Sequence, residues 1–174
     1  MDDASIVKES SDAEGSQYLT FKLGDEIYGI SVDHVKEVNE FSNVYVIPRV
    51  PAFIKGVINL RGEVVPVIDL SQRLYGRPIE ISKLTCIAVL ELKDEDERVP
   101  IGIVIDAVKE VVEIRDDKIE ATPEFSLNIR DDFVSGVGKV RDTFIVLLNV
   151  ETVLNIRELS QIGGADEDRV RIAL

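Results

Sequence analysis

Apolar and polar residues alternate along several short stretches of the chain, and turn residues separate these stretches. Residues 18–23 alternate, Gly24 and Asp25 supply a turn, and residues 27–32 form the next apolar stretch. Alternation with a period of two places the apolar side chains on one face of a β-strand. The pattern therefore predicts a β-hairpin with one buried face.

The same pattern predicts two further hairpins. Residues 56–60 and 64–68 flank Arg61 and Gly62, which mark a tight turn. Residues 86–92 and 99–105 flank a charged run that reads as a solvated tip. Abundant Val and Ile, short apolar runs and the absence of Trp favour strands over long helices.

The chain repeats itself. Residues 28–41 reappear as residues 101–114, each copy joining a Gly-containing apolar strand to the motif Asp-x-Val-Lys-Glu-Val. Residues 53–70 match residues 133–150 in the same way. The chain therefore consists of two related halves. Residues shared by both copies are expected to be structural, and His34, which becomes Ala107, is not required by the shared plan.

Short polar side chains end the predicted strands at equivalent places in the two halves. Asp33 and Asp106 precede the two Val-Lys-Glu-Val segments, which fit a short helical turn or a bent strand. Asp69 and Asn149 precede short helical stretches. All four positions suit an N-cap, whose side-chain oxygen accepts a backbone N–H of the first helical turn. The exchange of Asp69 for Asn149 favours capping over acid–base chemistry.

Many short strands in two equivalent halves predict an all-β fold of two small barrels or sandwiches packed together. With 45% apolar residues in a chain of 174, the protein can bury a core without disulfides. The surface between the halves is expected to be apolar, and part of it could open as a groove. Residues 1–16 are mostly polar, and we expect a flexible N-terminal tail there. Residues 158–174, which contain Gly163, Gly164 and an acidic patch, form a C-terminal tail with no assigned role.

Charge and hydropathy exclude several partners. The net charge of −13 repels nucleic acid and anionic bilayers, and no cluster of Lys and Arg offers an exception. The N-terminus lacks the pattern of a signal peptide, and no apolar run approaches the roughly 18 residues of a membrane span. We therefore expect a cytoplasmic protein.

The sequence contains no set of residues typical of catalysis, of metal binding or of cofactor binding. One His and one Cys cannot form a common zinc site, and no glycine-rich phosphate loop is present. Cys86 lies in an apolar stretch and is expected to be a small core residue. Carboxylates such as Asp33, Glu37 and Asp69 are most simply capping or surface groups. We therefore predict no enzymatic activity and no cofactor.

A binding function remains. Arg61 lies at a predicted hairpin tip, where its guanidinium could bind a carboxylate of another protein or simply be solvated. Val35, Glu37 and Val38 follow Asp33, and the second half repeats this pattern. The valines could be core residues or exposed contacts.

Several segments together resemble the CheW family of chemotaxis coupling proteins. The most specific is Ala-Phe-Ile-Lys-Gly-Val-Ile-Asn-Leu-Arg-Gly at residues 52–62, followed by Val-Pro-Val-Ile-Asp-Leu at 65–70. Residues 17–30, Val-Lys-Glu-Val at 35–38 and Pro-Glu-Phe at 123–125 add to the resemblance, which covers residues 17–157. It implies two five-stranded SH3-like β-barrels with an apolar interface. The halves would span roughly residues 17–80 and 81–157, with exchange of strands between them left open.

The resemblance also implies a function and a set of contact residues. The chain would be a cytoplasmic, non-enzymatic adaptor, recruited to receptor arrays. It would couple the cytoplasmic tip of methyl-accepting chemoreceptors to the regulatory domain of the histidine kinase CheA. A chemosensory pathway other than chemotaxis, and a small-ligand barrel with a pocket between the halves, are the alternatives. The implied partner-binding residues are Val35, Glu37, Val38, Gly56, Arg61, Val111 and Phe125.

Overall fold

The computed structural model of the chain describes residues 15–121 and 129–155. These residues form ten β-strands, two short α-helices and three 3-10 turns. The strands are β1 (Gly15–Leu23), β2 (Glu26–Ser31), β3 (Val35–Glu40), β4 (Ile54–Leu60), β5 (Glu63–Asp69), β6 (Cys86–Asp94), β7 (Glu97–Ile105), β8 (Ala107–Arg115), β9 (Val134–Val140) and β10 (Thr143–Leu148). The helices are α1 (Leu70–Tyr75) and α2 (Val150–Val153), and the 3-10 turns are Val32–His34, Asp116–Lys118 and Asp131–Phe133.

The ten strands form two five-stranded sheets, which confirms the predicted all-β fold. The first sheet has the order β8-β1-β2-β10-β9, and the second has the order β3-β6-β7-β5-β4. Replacing β1–β5 by β6–β10, and the reverse, converts one order into the other. The internal repeat is thus a structural repeat. The hairpin that begins each half pairs with strands of the other half, so both sheets contain strands from both halves.

The Val-Lys-Glu-Val segments are bent strands, which was one of the two alternatives. The register between β3 and β6 shifts between Val35 and Glu37, so Lys36 is the extra residue of a β-bulge. The register between β1 and β8 shifts in the same way and leaves out Lys109. A bulge bends its strand and increases the local twist. The two equivalent bulges therefore bend the edge strands β3 and β8 alike.

Each sheet closes into a barrel because residues beyond one edge strand meet the other edge strand. Tyr45, which follows β3, forms an antiparallel bridge with Val57 of β4. Glu120, which follows β8, forms the equivalent bridge with Val137 of β9. β3 and β4 are the two edges of one sheet, and β8 and β9 are the two edges of the other. Closure brings the side chains of these edge strands together and covers hydrogen-bonding groups that would otherwise be exposed.

The N-cap prediction is confirmed for the α-helices and wrong for the other two positions. Asp69 accepts a hydrogen bond from the Gln72 N–H, and Asn149 accepts one from the Thr152 N–H. The first 3-10 turn is instead capped by Ser31, whose hydroxyl accepts the Asp33 N–H. Asp106 accepts the N–H of Gly24 and thus stabilises the β1–β2 turn.

One apolar core runs through both sheets, and a smaller cluster fills the first barrel. The large core contains fully buried side chains of both sheets, such as Phe21, Tyr28, Ile87 and Leu90. Burial of one such side chain contributes roughly 1.5–3 kcal/mol. The smaller cluster consists of Val112, Ile114, Ile145 and Leu147. The halves are therefore joined by the main core itself.

Arg73 of α1 lies between the two halves. Its guanidinium carbon is 5.0 Å from the ring centroid of Phe53 and 5.0 Å from that of Phe133, two equivalent residues of the repeat. Its Nε donates a hydrogen bond of 2.8 Å to the carbonyl of Val153, which is its own counterpart in the second half. One arginine thus bridges equivalent groups of both halves by cation–π contacts and a hydrogen bond.

The β6–β7 hairpin is tighter than predicted. Only Glu95 and Asp96 form its turn, and the flanking charged residues belong to the strands. Lys93 pairs with Arg98 and Asp94 pairs with Glu97 in the antiparallel ladder. Cys86 begins β6 and is half-buried, packed against the main core.

Candidate functional site

Glu37 and Arg61 form an exposed bidentate ion pair, here called the first ion pair. Arg61 Nη1 donates to Glu37 Oε2 over 2.9 Å, and Arg61 Nη2 donates to Glu37 Oε1 over 2.8 Å. Glu37 lies on β3, and Arg61 lies at the tip of the β4–β5 hairpin. These elements come from opposite edges of the second sheet. The pair therefore spans the seam at which that barrel closes.

The turn conformation orients Arg61. Arg61 and Gly62 have φ angles of 54° and 87°, because a two-residue hairpin of this twist requires positive φ at both positions. The left-handed conformation costs an L-residue other than glycine roughly 1–2 kcal/mol, and less for Asn or Asp. The Gly62 N–H donates to Asn59 Oδ1 over 2.9 Å and fixes the turn further. An arginine at such a position is explained by its side chain rather than by its backbone preference.

The ion pair also shifts the pKa values of both groups. Hydrogen bonds from the Arg61 guanidinium lower the pKa of the Glu37 carboxyl below its usual range. The same hydrogen bonds raise the pKa of Arg61. The ion pair thus stabilises the ionised form of both groups. The side chain of Arg61 is 71% exposed, so it remains accessible to another molecule.

The second half contains an equivalent pair, here called the second ion pair. Arg141 Nη2 donates to Glu110 Oε2. Arg141 and Asp142 have φ angles of 48° and 67°, so the β9–β10 turn has the same conformation as the first. The sequence already carried the signal, because Glu37 aligns with Glu110 and Arg61 with Arg141.

The valines divide between the two roles that the sequence left open. Val35 and its counterpart Val108 are partly buried against the main core. Val38 and its counterpart Val111 are 37% and 53% exposed. Alternation along β3 places Val38 on the face opposite to Glu37. Val38 and the first ion pair thus present two different surfaces of one edge strand, and Val111 lies on the other sheet.

Gly56 is buried and permits a close backbone approach. Its φ is 153°, and a Cβ at this position would lie 2.2 Å from the carbonyl oxygen of Tyr45. A side chain at this position would clash with the Tyr45 backbone and would displace the bridge between Tyr45 and Val57 of β4. Gly56 therefore shapes the barrel seam, and its role in partner binding stays a prediction.

The last predicted contact residue, Phe125, lies outside the described residues. Sequence reasoning missed two exposed apolar side chains beside Gly56, namely Tyr45, which is 62% exposed, and Val46, which is 81% exposed. Their signal was an aromatic residue and valines in a segment read only as an irregular connection. Among the predicted residues, the structure brings together Glu37 and Arg61.

The described residues bear on three alternatives: a metal site, a ligand cavity and a membrane span. No group of three or more His, Cys, Asp or Glu side chains there could hold a metal ion. A cavity between the halves measures only about 10 Å³ and is lined by apolar residues such as Ile30, Ile103 and Leu148. A pocket between the halves that binds a small ligand would need a much larger volume. In the same residues, no helix is both long and apolar enough to cross a bilayer.

Comparisons with known proteins agree with the repeat and the fold. The family model described as a CheW-like domain matches residues 17–158. A chemotaxis protein CheW of Klebsiella aerogenes is 32% identical over 161 residues, which are 92% of this chain and 95% of that protein. A chemotaxis protein CheW of Treponema pallidum is 28% identical over 87% of this chain and 89% of that protein.

A solved structure gives the same assignment. The scaffolding protein TtCheW of Thermoanaerobacter tengcongensis superposes with a TM-score of 0.71 at 33% identity, covering 80% of this chain and 87% of that one. The chain therefore belongs to the CheW family of chemotaxis scaffolding proteins, which are adaptors rather than enzymes.

Proposed function

We propose that this protein couples methyl-accepting chemoreceptors to the histidine kinase CheA in a bacterial signalling array. It binds the cytoplasmic tip of the receptor and the regulatory domain of the kinase, and it works without a cofactor. Its place is the cytoplasm, where it is recruited to membrane-associated receptors. Family membership supports this assignment, and the first ion pair supports a defined contact surface for it.

The observation that carries the proposal is an exposed arginine held in an unfavourable backbone conformation. A guanidinium has five N–H groups, and Arg61 uses two of them on Glu37. The others face solvent and can bind a carboxylate or a carbonyl oxygen of a partner. Glu37 fixes the direction of the guanidinium, so little side-chain entropy is lost on binding. Two charges of opposite sign also set the register of a charged helix tip.

The two surfaces of β3 suit an adaptor with two partners. The first ion pair occupies one face of the strand, and Val38 occupies the other. A receptor helix presents apolar side chains at spacings of three and four residues, which an exposed apolar surface can bind. Contacts that differ between the active and inactive arrangements of the kinase would transmit the signal, because only differential binding can shift an equilibrium.

The same adaptor could serve a chemosensory pathway other than chemotaxis. All residues that support receptor and kinase binding would then have the same roles. The kinase encoded beside the gene distinguishes the two pathways.

Titration calorimetry of the full chain tests the proposal. We expect saturable binding to the cognate kinase regulatory domain and, separately, to a receptor signalling-tip fragment. Arg61→Ala is expected to weaken at least one of these complexes about tenfold or more, since it removes charge-assisted hydrogen bonds to the partner. The thermal midpoint should stay nearly unchanged, because exposed ion pairs contribute little to stability.

Arg98→Ala provides the matched control. Arg98 is 75% exposed and contacts one carboxylate, that of Glu91, on the β6–β7 hairpin. Its loss should leave both affinities unchanged. Folded protein that binds neither partner would refute the proposed function. A large fall in thermal midpoint for Arg61→Ala would assign Arg61 a structural role instead.

A further inference from the structure

A cavity at the end of the first barrel contains a lysine without a counter-charge. The cavity measures about 170 Å³, and Thr20, Lys109, Glu110, Arg141 and Thr143 supply its polar lining. Lys109 is the bulge residue of β8, so its side chain departs from the regular alternation of the strand. Within the part of the chain that the structure describes, no carboxylate lies within ion-pair distance of its ammonium.

The counterpart of Lys109 in the first half has the acidic partners that Lys109 lacks. Its counterpart Lys36 lies 4.0 Å from Glu63 and 3.8 Å from Glu91. The strand registers identify the residues at the equivalent positions around Lys109. Thr143 replaces Glu63, and Lys22 replaces Glu91. Around Lys109, a threonine and a lysine thus occupy the positions that two carboxylates occupy around Lys36.

The walls of the cavity are fixed in place. The Thr20 hydroxyl donates to the Glu110 carbonyl over 2.7 Å and accepts the Glu110 N–H over 3.1 Å. The second ion pair connects Glu110 of β8 to Arg141 of the β9–β10 turn. Lys109 and Arg141 therefore line the same cavity, and Glu110 supplies the carboxylate of that lining. The lining of the cavity therefore carries two cations and one carboxylate.

We propose that this cavity binds a carboxylate group between Lys109 and Arg141. A guanidinium offers a planar fork of donors that matches a carboxylate, and the lysine ammonium adds a point charge. The volume is below the roughly 300–1,000 Å³ of pockets for drug-sized ligands, so it suits a small organic acid or a single acidic side chain. Glu110 repels the two charges that phosphate carries on one group more strongly than the single charge of one bound carboxylate, since repulsion scales with the nearby charge.

Glu110 gives the proposal a specific signature. Its carboxylate already occupies Arg141 and therefore competes with an incoming carboxylate. Removal of that charge should strengthen binding, whereas removal of Lys109 should weaken it. The backbone hydrogen bonds between Glu110 and Thr20 do not depend on the Glu110 side chain. Glu110→Gln is therefore expected to keep the strand in place.

The test is a nuclear magnetic resonance titration of the full chain at low ionic strength with three probes: succinate, a short glutamate-rich peptide and inorganic phosphate. Saturable amide shifts around Lys109, Thr20 and Arg141 are expected with succinate or with the peptide. The tighter of the two identifies the source as a free acid or as a protein side chain. Circular dichroism confirms that each variant is folded.

Three variants complete the test. Lys109→Ala should weaken binding about tenfold, as expected for loss of one charge-assisted hydrogen bond. Glu110→Gln should strengthen binding several-fold. Lys36→Ala is the matched control and should change the affinity less than about twofold, because Glu63 and Glu91 already neutralise Lys36. Shifts that do not saturate, shifts with phosphate alone, or equal effects of Lys109→Ala and Lys36→Ala would overturn the proposal.

Discussion

Arg61 and Arg141 occupy a backbone conformation that arginine disfavours, and the contacts of their side chains explain why arginine is found there. Both have positive φ, at positions where Asn or Gly is the common choice. Each donates to a glutamate at the equivalent place on the edge strand across the barrel seam. Backbone strain of this kind persists where the surrounding structure enforces it, and it often accompanies binding sites.

The charge of the first ion pair can be tested directly. Arg61→Ala should raise the pKa of Glu37 back to its usual range, because the hydrogen bonds and charge that lower it are removed. Since the pKa of Glu37 is lowered in the folded state, the pair contributes stability above the usual glutamate pKa. That contribution is lost as the pH falls through the lowered value. A carbon-13 titration of the Glu37 carboxyl in both proteins measures the change, and identical midpoints would contradict the prediction.

Two equivalent glycines allow a matched test of the barrel seam. A Cβ at Gly56 would lie 2.2 Å from a backbone oxygen of Tyr45, and the φ of 153° strains any side chain. A Cβ at Gly136 would lie 2.6 Å from the side-chain atom Ile119 Cγ2 and 3.1 Å from the carbonyl oxygen of Glu120, so its backbone contact is the longer one. We expect Gly56→Ala to cost about 3 kcal/mol or more and Gly136→Ala about 1–2 kcal/mol. Urea unfolding measures both, and equal costs would show that the Tyr45 approach is not critical.

The sequence indicated the members of the first ion pair but not their contact. Arg61 was expected at a turn, and Glu37 was expected after a strand. Their pairing depends on the closure of a sheet whose edges are β3 and β4, and local periodicity carries no information about that closure. Gly56 was assigned to the contact surface by resemblance alone. Its strained φ and its burial under Tyr45 follow from the tertiary structure.

At the scale of elements, the two equivalent turns differ in one residue. Gly62 occupies the second turn position in the first half, and Asp142 occupies it in the second half with a φ of 67°. Asp142→Gly should stabilise the protein by about 0.5–1 kcal/mol, since glycine adopts positive φ without steric cost. The contact of Asp142 with Lys139 is 3.7 Å long and fully solvated, so its loss should matter little.

The reverse substitution is the control for this turn. Gly62→Asp should destabilise the protein by a similar amount in urea unfolding with an unchanged slope. If Asp142→Gly destabilises the protein, the aspartate makes a contact that outweighs its backbone strain.

Elements were predictable where a local pattern decides them. Alternation gave the β1–β2 and β4–β5 hairpins, and capping chemistry gave the starts of α1 and α2. The charged run between β6 and β7 was read as a loop, yet most of it continues the two strands. The side chains of this run are solvated, whereas its backbone groups form the antiparallel ladder between β6 and β7. Hydropathy describes only the side chains and therefore does not reveal this pairing. Asp106 was predicted as a helix cap because its bond to Gly24 of the other half has no local signal.

At the scale of the whole molecule, the repeat and the barrels do not coincide. The repeat divides the chain into two halves, and each barrel takes strands from both of them. Similarity between the copies predicts that they fold alike, but it does not say whether each copy pairs with itself. Parallel pairing of β2 with β10 and of β5 with β7 is the exchange that local patterns could not reveal.

This exchange predicts that the protein unfolds as one unit and that its halves do not fold alone. Division of the chain after residue 80 would separate β1 and β2 from β8, β9 and β10, and would separate β6 and β7 from β3, β4 and β5. A hairpin without its neighbours is at best marginally stable in water. Fragments 1–80 and 81–174 should each give the poorly dispersed amide spectrum of an unfolded chain.

Mixing the two fragments should restore the dispersed spectrum, because every lost strand pair and the common core around Phe21 and Leu90 are then available again. In the intact chain, near-ultraviolet circular dichroism and tyrosine fluorescence should report one coincident urea transition. A dispersed spectrum from either fragment alone would mean that a half can pair its own strands. Strands paired within each half and strands exchanged between the halves would then both be stable arrangements. The core shared by both halves would favour the exchanged one.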